Sequence, residues 1–174
     1  MPEENIQYIA KKIVEDGKGI LAADESTNTI KKRFDSINVK SNEKTRCNYR
    51  DTLFSTPDIS KYISAVILFE ETFFQKNSND ELLKEKLENI SCYPGIKIDQ
   101  GLEAFNKDSN ETYTKGIETL DERLKPFAEN GAKFTKWRGV INIGKNIPSN
   151  MCIEKNSSLL AEYALISQNN KLVP

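Results

Sequence analysis

The sequence predicts a parallel α/β fold, and three observations carry that prediction. Short apolar runs alternate four times with segments of helical periodicity, the layout that sets helices over a parallel sheet. Each run finishes on charged side chains: Gly19-Ile20-Leu21-Ala22-Ala23-Asp24, Ala65-Val66-Ile67-Leu68-Phe69-Glu70, Gly95-Ile96-Lys97-Ile98-Asp99 and Phe134-Thr135-Lys136-Trp137-Arg138. Runs this short and rich in Ile, Val and Phe read as strands buried on both faces. Charge on such a strand is costly unless it meets a polar cavity or a ligand. The carboxyl ends of parallel strands are where α/β folds hold their chemistry, so the pattern points to an active site. Finally, Lys171-Leu172-Val173-Pro174 begins an apolar run with no length in which to pair. A barrel interrupted partway explains that ending better than an open sheet.

The elements follow in order. Residues 4–15 carry apolar side chains at Ile6, Ile9, Ala10 and Ile13, a helical spacing that stops at Gly17. After the first strand, Ser26-Thr27-Asn28-Thr29 supplies cap-type residues ahead of a basic helix over Ile30 to Ser36. A second helix is expected from Glu43 to Thr52, then turn chemistry at Thr56-Pro57-Asp58 and a further helical turn. Asn77 to Glu88 mixes Lys and Glu as a solvated helix would. Residues 102–114 are polar and are expected to form a loop. Ile117, Leu120, Leu124, Phe127 and Ala128 form a helical stripe ended by Asn130-Gly131. The last strand is expected to continue loosely to Ile143-Gly144, and a final helix to cover Ser157 to Gln168. Residues 1–174 are read as one domain.

Composition narrows the function classes. A net charge of −1 gives no electrostatic reason to expect nucleic acid or an anionic membrane as partner. No apolar stretch approaches the roughly 20 residues of a membrane span, and the charged N-terminus is no signal peptide. Cys47, Cys92 and Cys152 are odd in number and scattered, which fits reduced thiols in a cytoplasm better than a disulfide framework. Histidine is absent, so proton transfer must use Lys, Asp, Glu or Tyr.

The charged strand ends have two readings. Lys97 and Asp99 lie two apart and point the same way on a strand, as do Lys136 and Arg138. Neighbouring strands would crowd Lys97, Lys136 and Arg138 together, with Asp24 and Asp99 as counter-charges. Crowded cations lower a lysine's pKa and attract phosphate or carboxylate oxygens. A structural ion-pair network at the end of a sheet is the plainer reading. Gly17-Lys18-Gly19 lacks the spacing of a phosphate loop. Ser26, Thr29, Lys32 and Arg33, around a helix start just after a strand, make a better anion site; a capped helix with a solvated basic face is the alternative. Arg46 and Arg50 share one helix face, ordinarily a solvated one. Glu70 and Glu71 read equally as a carboxylate pair or a turn. Trp137, the single tryptophan, is expected beneath a neighbouring helix.

Five segments now become specific. GKGILAADEST (17–27), IKKRF (30–34), AVILFEETFFQK (65–76), GIKIDQG (95–101) and FTKWRGVINIG (134–144) resemble, in order and spacing, the Schiff-base, metal-independent class I fructose-bisphosphate aldolases. The resemblance implies a TIM (β/α)8 barrel, of which this chain covers roughly the first four βα units and the start of the fifth strand. It implies glycolytic cleavage of fructose 1,6-bisphosphate to dihydroxyacetone phosphate and glyceraldehyde 3-phosphate. Position by position, Asp24 is similar to the carboxylate that assists proton transfer, and Lys136 to the barrel lysine that hydrogen-bonds substrate hydroxyls. Lys97 and Arg138 correspond to cations that contact the substrate. Ser26, Thr29 and Arg33 resemble the phosphate corner, where Thr29 keeps the hydroxyl of the family's serine. Arg46 matches a further substrate-contacting arginine.

The resemblance implies no cofactor and no metal, because an imine serves as the electron sink. The family places its imine-forming lysine and acid–base glutamate pair on later strands, so the chain as given is expected to show little or no turnover. The alternative is a non-catalytic sugar-phosphate-binding half barrel, or one that pairs with a complementary half. A sugar phosphate is the expected partner, with homo-oligomers expected of the full-length family.

Overall fold

The computed structural model describes residues 5–107 and 109–174; Glu4, where the first helix was expected to begin, lies outside them. The chain opens with α1 (Ile6–Ile13), β1 (Gly19–Ala23), α2 (Thr27–Asp35) and α3 (Glu43–Phe54). A 3-10 turn (Ile59–Lys61) then leads into β2 (Ile63–Leu68), α4 (Glu70–Phe73), α5 (Leu83–Asn89) and β3 (Tyr93–Lys97). Two short strands, β4 (Leu102–Ala104) and β5 (Thr112–Thr114), precede α6 (Leu120–Glu129), β6 (Phe134–Lys136) and α7 (Asn150–Asn169).

The strands β1, β2, β3 and β6 form one parallel sheet in that order. Ala23 pairs with Leu68, Leu68 with Ile96, and Ile96 with Thr135. That level of the sheet is almost fully buried. One residue further along each strand come Asp24, Phe69, Lys97 and Lys136, which therefore share the opposite pleat face at the carboxyl edge.

Each face has its own cover. Val66, Leu68, Ile96 and Ile98 pack among Phe54, Leu83, Leu87, Leu120, Leu124 and Leu159, drawn from α3, α5, α6 and α7. Across the sheet, Ala65 and Phe134 meet Ile9 and Ile13 of α1. Because α1 covers only the lower part of that face, its upper end is left for the charged groups. Gly95 lies one residue below the Ile96 level, paired with Phe134, and a Cβ there would overlap the Phe134 ring. Space, not backbone freedom, requires glycine at this position.

Several sequence expectations need correction. The segment from Asn77 is helical only over α5. Its first residues turn instead, because Asn77 Oδ1 accepts the Asn79 and Glu81 N–H groups at 2.9 and 3.2 Å. Nor is the helix simply solvated: Leu83, Lys84 and Leu87 are buried. The expected loop at 102–114 contains the antiparallel pair β4 and β5, whose exposed faces hide the strand signal behind polar residues. The last strand stops at Lys136, and the Arg138 carbonyl goes to the Thr114 hydroxyl instead of a neighbouring strand. The terminal apolar run does pair. Val173 bridges Phe134 in parallel, with Thr135 N–H donating to Val173 O at 2.8 Å. The last helix begins earlier than its apolar stripe because Ser149 caps it. Trp137 stacks on Tyr163 of α7, beneath a helix as expected.

Candidate active site

Parallel pairing brings the charged strand ends to one rim. Lys97 and Lys136 are register partners on β3 and β6. Lys136 Nζ lies 2.9 Å from Asp24 Oδ2, joining the far ends of the four-stranded sheet. Lys97 Nζ lies 2.9 Å from Asp99 Oδ2, and Arg138 Nη2 approaches Asp99 Oδ1 at 3.8 Å. The Asp99 side chain is fully buried, and the Gly101 N–H donates to it at 3.2 Å. A buried carboxylate is tolerable only with such compensation. Asp24, Lys97, Asp99, Lys136 and Arg138 thus form one charged patch at the carboxyl rim.

Behind β6, Thr135 and Trp137 point away from this patch. Thr135 Oγ1 meets Tyr163 OH at 2.7 Å and Ser167 Oγ at 3.0 Å. Together with the Trp137–Tyr163 stack, these contacts fasten α7 to the strand that carries Lys136. Burial pushes the Tyr163 phenol above its ordinary pKa.

A second network continues from β1. Ser26 caps α2, accepting the Thr29 N–H at 3.3 Å, and the two hydroxyls are 3.0 Å apart. Arg33 pairs with Glu25 and lies 3.4 Å from Tyr49 OH. Arg46 makes a bidentate pair with Glu71: Nε donates to Oε2 at 2.8 Å and Nη2 to Oε1. The Arg46 hydrogen bonds hold the Glu71 carboxyl below its usual pKa, despite partial burial. Arg50 lies between these pairs with its side chain fully buried, 3.8 Å from Glu71 and 4.0 Å from Glu25.

All the predicted site residues therefore fall on the carboxyl rim or in the helical layer joined to its β1 end. The rim brings Asp24, Lys97, Lys136 and Arg138 together, whereas Arg33 and Arg46 are held aside by carboxylates of their own. The pairs contain six cations (Arg33, Arg46, Arg50, Lys97, Lys136, Arg138) and four carboxylates (Asp24, Glu25, Glu71, Asp99). Within this set the cations outnumber the carboxylates by two, in a chain whose overall charge is −1. The arrangement suits a multiply charged anion.

The solvated-face reading of Arg46 and Arg50 fails. Cys47, Arg50 and Phe54 lie three and four residues apart and are the buried stripe of α3. That spacing was the available signal for Arg50. Glu25 and Glu71 lie within two of the resembling segments, and Glu71 reads with Glu70 as a carboxylate pair or a turn, but nothing in the sequence sets either against an arginine. Among the described residues, no group of three or more Cys, Asp or Glu is placed to hold a metal ion. The three cysteines are buried and free. A cleft of about 450 Å³ at the start of α3 is lined by residues including Asn42, Glu43 and Gln75, and by none of the predicted site residues.

Comparison with known proteins shows the family of the chain. The family model for glycolytic, class-I fructose-bisphosphate aldolase matches residues 5–174. The chain belongs to the class-I fructose-bisphosphate aldolases. It is 46% identical over 172 residues to fructose-bisphosphate aldolase 2 of Caenorhabditis elegans, covering 99% of this chain and 47% of that protein. With fructose-bisphosphate aldolase 1 of Toxoplasma gondii it shares 50% identity over 167 residues, covering 95% of this chain and 46% of the relative. A solved structure of the Plasmodium falciparum aldolase, in complex with TRAP and a small-molecule inhibitor, superposes with a TM-score of 0.94 at 46% identity. That match covers 98% of this chain and 50% of the other. The parallel sheet of this aldolase chain is therefore part of a (β/α) barrel, and the chain spans about half the length of the curated relatives it matches. A cytosolic Arabidopsis thaliana aldolase is among those relatives, and no helix among the described residues is long and apolar enough to cross a membrane.

Proposed function

We propose that the 174 residues form a single domain, the amino-terminal part of a cytoplasmic fructose-bisphosphate aldolase. In this reading the chain supplies the substrate-binding rim for reversible cleavage of fructose 1,6-bisphosphate. The observation that supports it most is the Asp24–Lys136 contact at 2.9 Å. It sets a carboxylate and an ammonium side by side at the open rim, beside Lys97 of the neighbouring β3 and Arg138 just beyond β6.

The roles are those that the family resemblance implies, and the charges and positions of the residues are compatible with them. Lys136 donates hydrogen bonds to substrate hydroxyls. Asp24 orients that ammonium and accepts or returns a proton as the carbon–carbon bond breaks. Lys97 and Arg138 are held in place by Asp99 and neutralise substrate oxygens. Ser26, Thr29 and Arg33 form a phosphate corner at the start of α2, where the helix N-terminus favours an anion. Phosphate must compete there with Glu25 for Arg33. Arg46 is mostly buried and committed to Glu71, so its influence on substrate is transmitted through that pair. An imine to the substrate ketone would act as the electron sink, with its lysine supplied from outside these residues.

Calorimetric titration with fructose 1,6-bisphosphate tests the binding role. Lys136→Ala should weaken binding by about tenfold, the loss of one charge-assisted hydrogen bond; unchanged affinity overturns the assignment. Borohydride trapping with dihydroxyacetone phosphate should leave this polypeptide unlabelled. A covalently labelled lysine within it would refute the assignment of imine chemistry to other residues.

A further inference from the structure

We infer that Arg50 is a positioning residue: its guanidinium clamps the two peptide carbonyls on either side of Asp24 and so sets where that carboxylate meets Lys136. Arg50 Nε donates to Ala23 O at 3.2 Å, and Nη2 donates to Glu25 O at 2.6 Å. One planar group thus grips the chain immediately before and after Asp24. Its other neighbours include the Glu25 carboxylate just past β1, and the Glu71 carboxylate and the Phe69 ring, at 5.8 Å, just past β2.

A fully buried guanidinium is costly, and an apolar side chain between Cys47 and Phe54 would fill the same stripe more cheaply. What only arginine supplies here is a rigid fork reaching two carbonyls at once while facing two carboxylates. Lysine keeps the charge but presents a single ammonium. The clamp also explains why Asp24, one residue beyond the end of β1, keeps its position without a ladder partner of its own.

The first test needs no substrate. The rate of reductive methylation at Lys136 is followed by mass spectrometry and normalised to Lys125, an exposed lysine on α6 paired with Asp121. Arg50→Lys should speed Lys136 severalfold with Lys125 unchanged, and Asp24→Asn should do the same. The double variant should be no faster than Asp24→Asn alone. An unchanged Lys136 rate, or equal acceleration at both lysines, overturns the inference. If Arg50→Lys does not fold, Arg50→Ala is assayed with added guanidinium ion. Guanidinium, but not equimolar ammonium, should restore protection of Lys136; failure to restore it overturns the inference.

A second arm rests on the sugar-phosphate reading. Arg50→Lys should weaken fructose 1,6-bisphosphate binding by about tenfold. That loss should be non-additive with Asp24→Asn and additive with Arg138→Lys. Fully additive losses with Asp24→Asn count against positioning. If the unmodified chain binds no sugar bisphosphate, the substrate reading fails, and the methylation result still decides the role of Arg50.

Discussion

Glu71→Gln removes one charge from a largely buried ion-pair network, and its cost can be worked out from the contacts. Glu71 accepts two hydrogen bonds from Arg46 and lies 3.8 Å from Arg50 Nη1. The Arg46 and Glu71 side chains are 11% and 23% exposed, so the pair is mostly withdrawn from water. Arg50 is wholly withdrawn, and after the substitution only Glu25, at 4.0 Å, would face it. Breaking a buried pair from one side costs about 3–5 kcal/mol. Residual exposure places this case near the lower end, about 3 kcal/mol. That is a large share of the roughly 5–15 kcal/mol that holds a domain folded.

Urea unfolding of the wild type and Glu71→Gln, measured from pH 7 down to pH 3, is the assay. Glu71 titrates below its ordinary value of 4.5 because Arg46 hydrogen-bonds the charged form. Its stabilisation is therefore complete above the unfolded-state pKa and is lost as pH falls through the lowered folded-state pKa. The gap between the two proteins should be full at pH 7 and narrow in acid, as the wild-type carboxylate takes up its proton. Asp58→Asn, which breaks an exposed pair with Lys61, should cost well under about 1 kcal/mol at every pH. A Glu71→Gln cost as small as that control, or one independent of pH, would refute the reasoning.

Three further outcomes are expected. Gly95→Ala should destabilise by about 1–3 kcal/mol in thermal or urea unfolding, because its methyl group would enter the Phe134 ring. Adding Phe134→Ala should recover part of that loss, and additive losses would show that the ring is not the obstacle. Tyr163→Phe should cost about 1 kcal/mol by removing a buried hydroxyl from Thr135, whereas Tyr163→Ala should cost about 3–5 kcal/mol by also losing the stack on Trp137. Similar costs for the two variants would shift the emphasis from packing to the hydroxyl. Ser149→Ala should lower stability by about 1 kcal/mol through loss of the α7 cap, and Ser149→Asp should restore it.

The strands of the sheet were legible because their apolar runs are buried on both faces and end in charge. That pattern points to Asp24, Lys97, Lys136 and Arg138 as a charged group at one end of the sheet, provided that their strands are neighbours. Three places escaped it, each for a physical reason. The pair β4 and β5 is short, with three residues in each strand, and its polar residues mask the extended backbone. Asn77 diverts its segment from helix to turn by a side-chain acceptor that competes with the backbone, a choice that composition does not record. Val173 pairs with Phe134 of the sheet from a very short apolar run, because strand pairing is fixed by contacts and not by run length.

Arg50 exposes a deeper limit. Charge on a helix ordinarily signals solvent, and the i, i+4 relation to Arg46 strengthened that inference. The competing signal was the interval from Cys47 to Phe54, with Arg50 between them on the same stripe. Periodicity predicted burial and charge predicted exposure, and periodicity prevailed because four oxygen-bearing partners surround the guanidinium: the Ala23 and Glu25 carbonyls and the Glu25 and Glu71 carboxylates. None of these adjoins Arg50 in sequence, so no local window could reveal them. A charged residue on the apolar stripe of a helix, in a chain whose strands end in acidic residues, is therefore better read as a buried clamp in search of its oxygens.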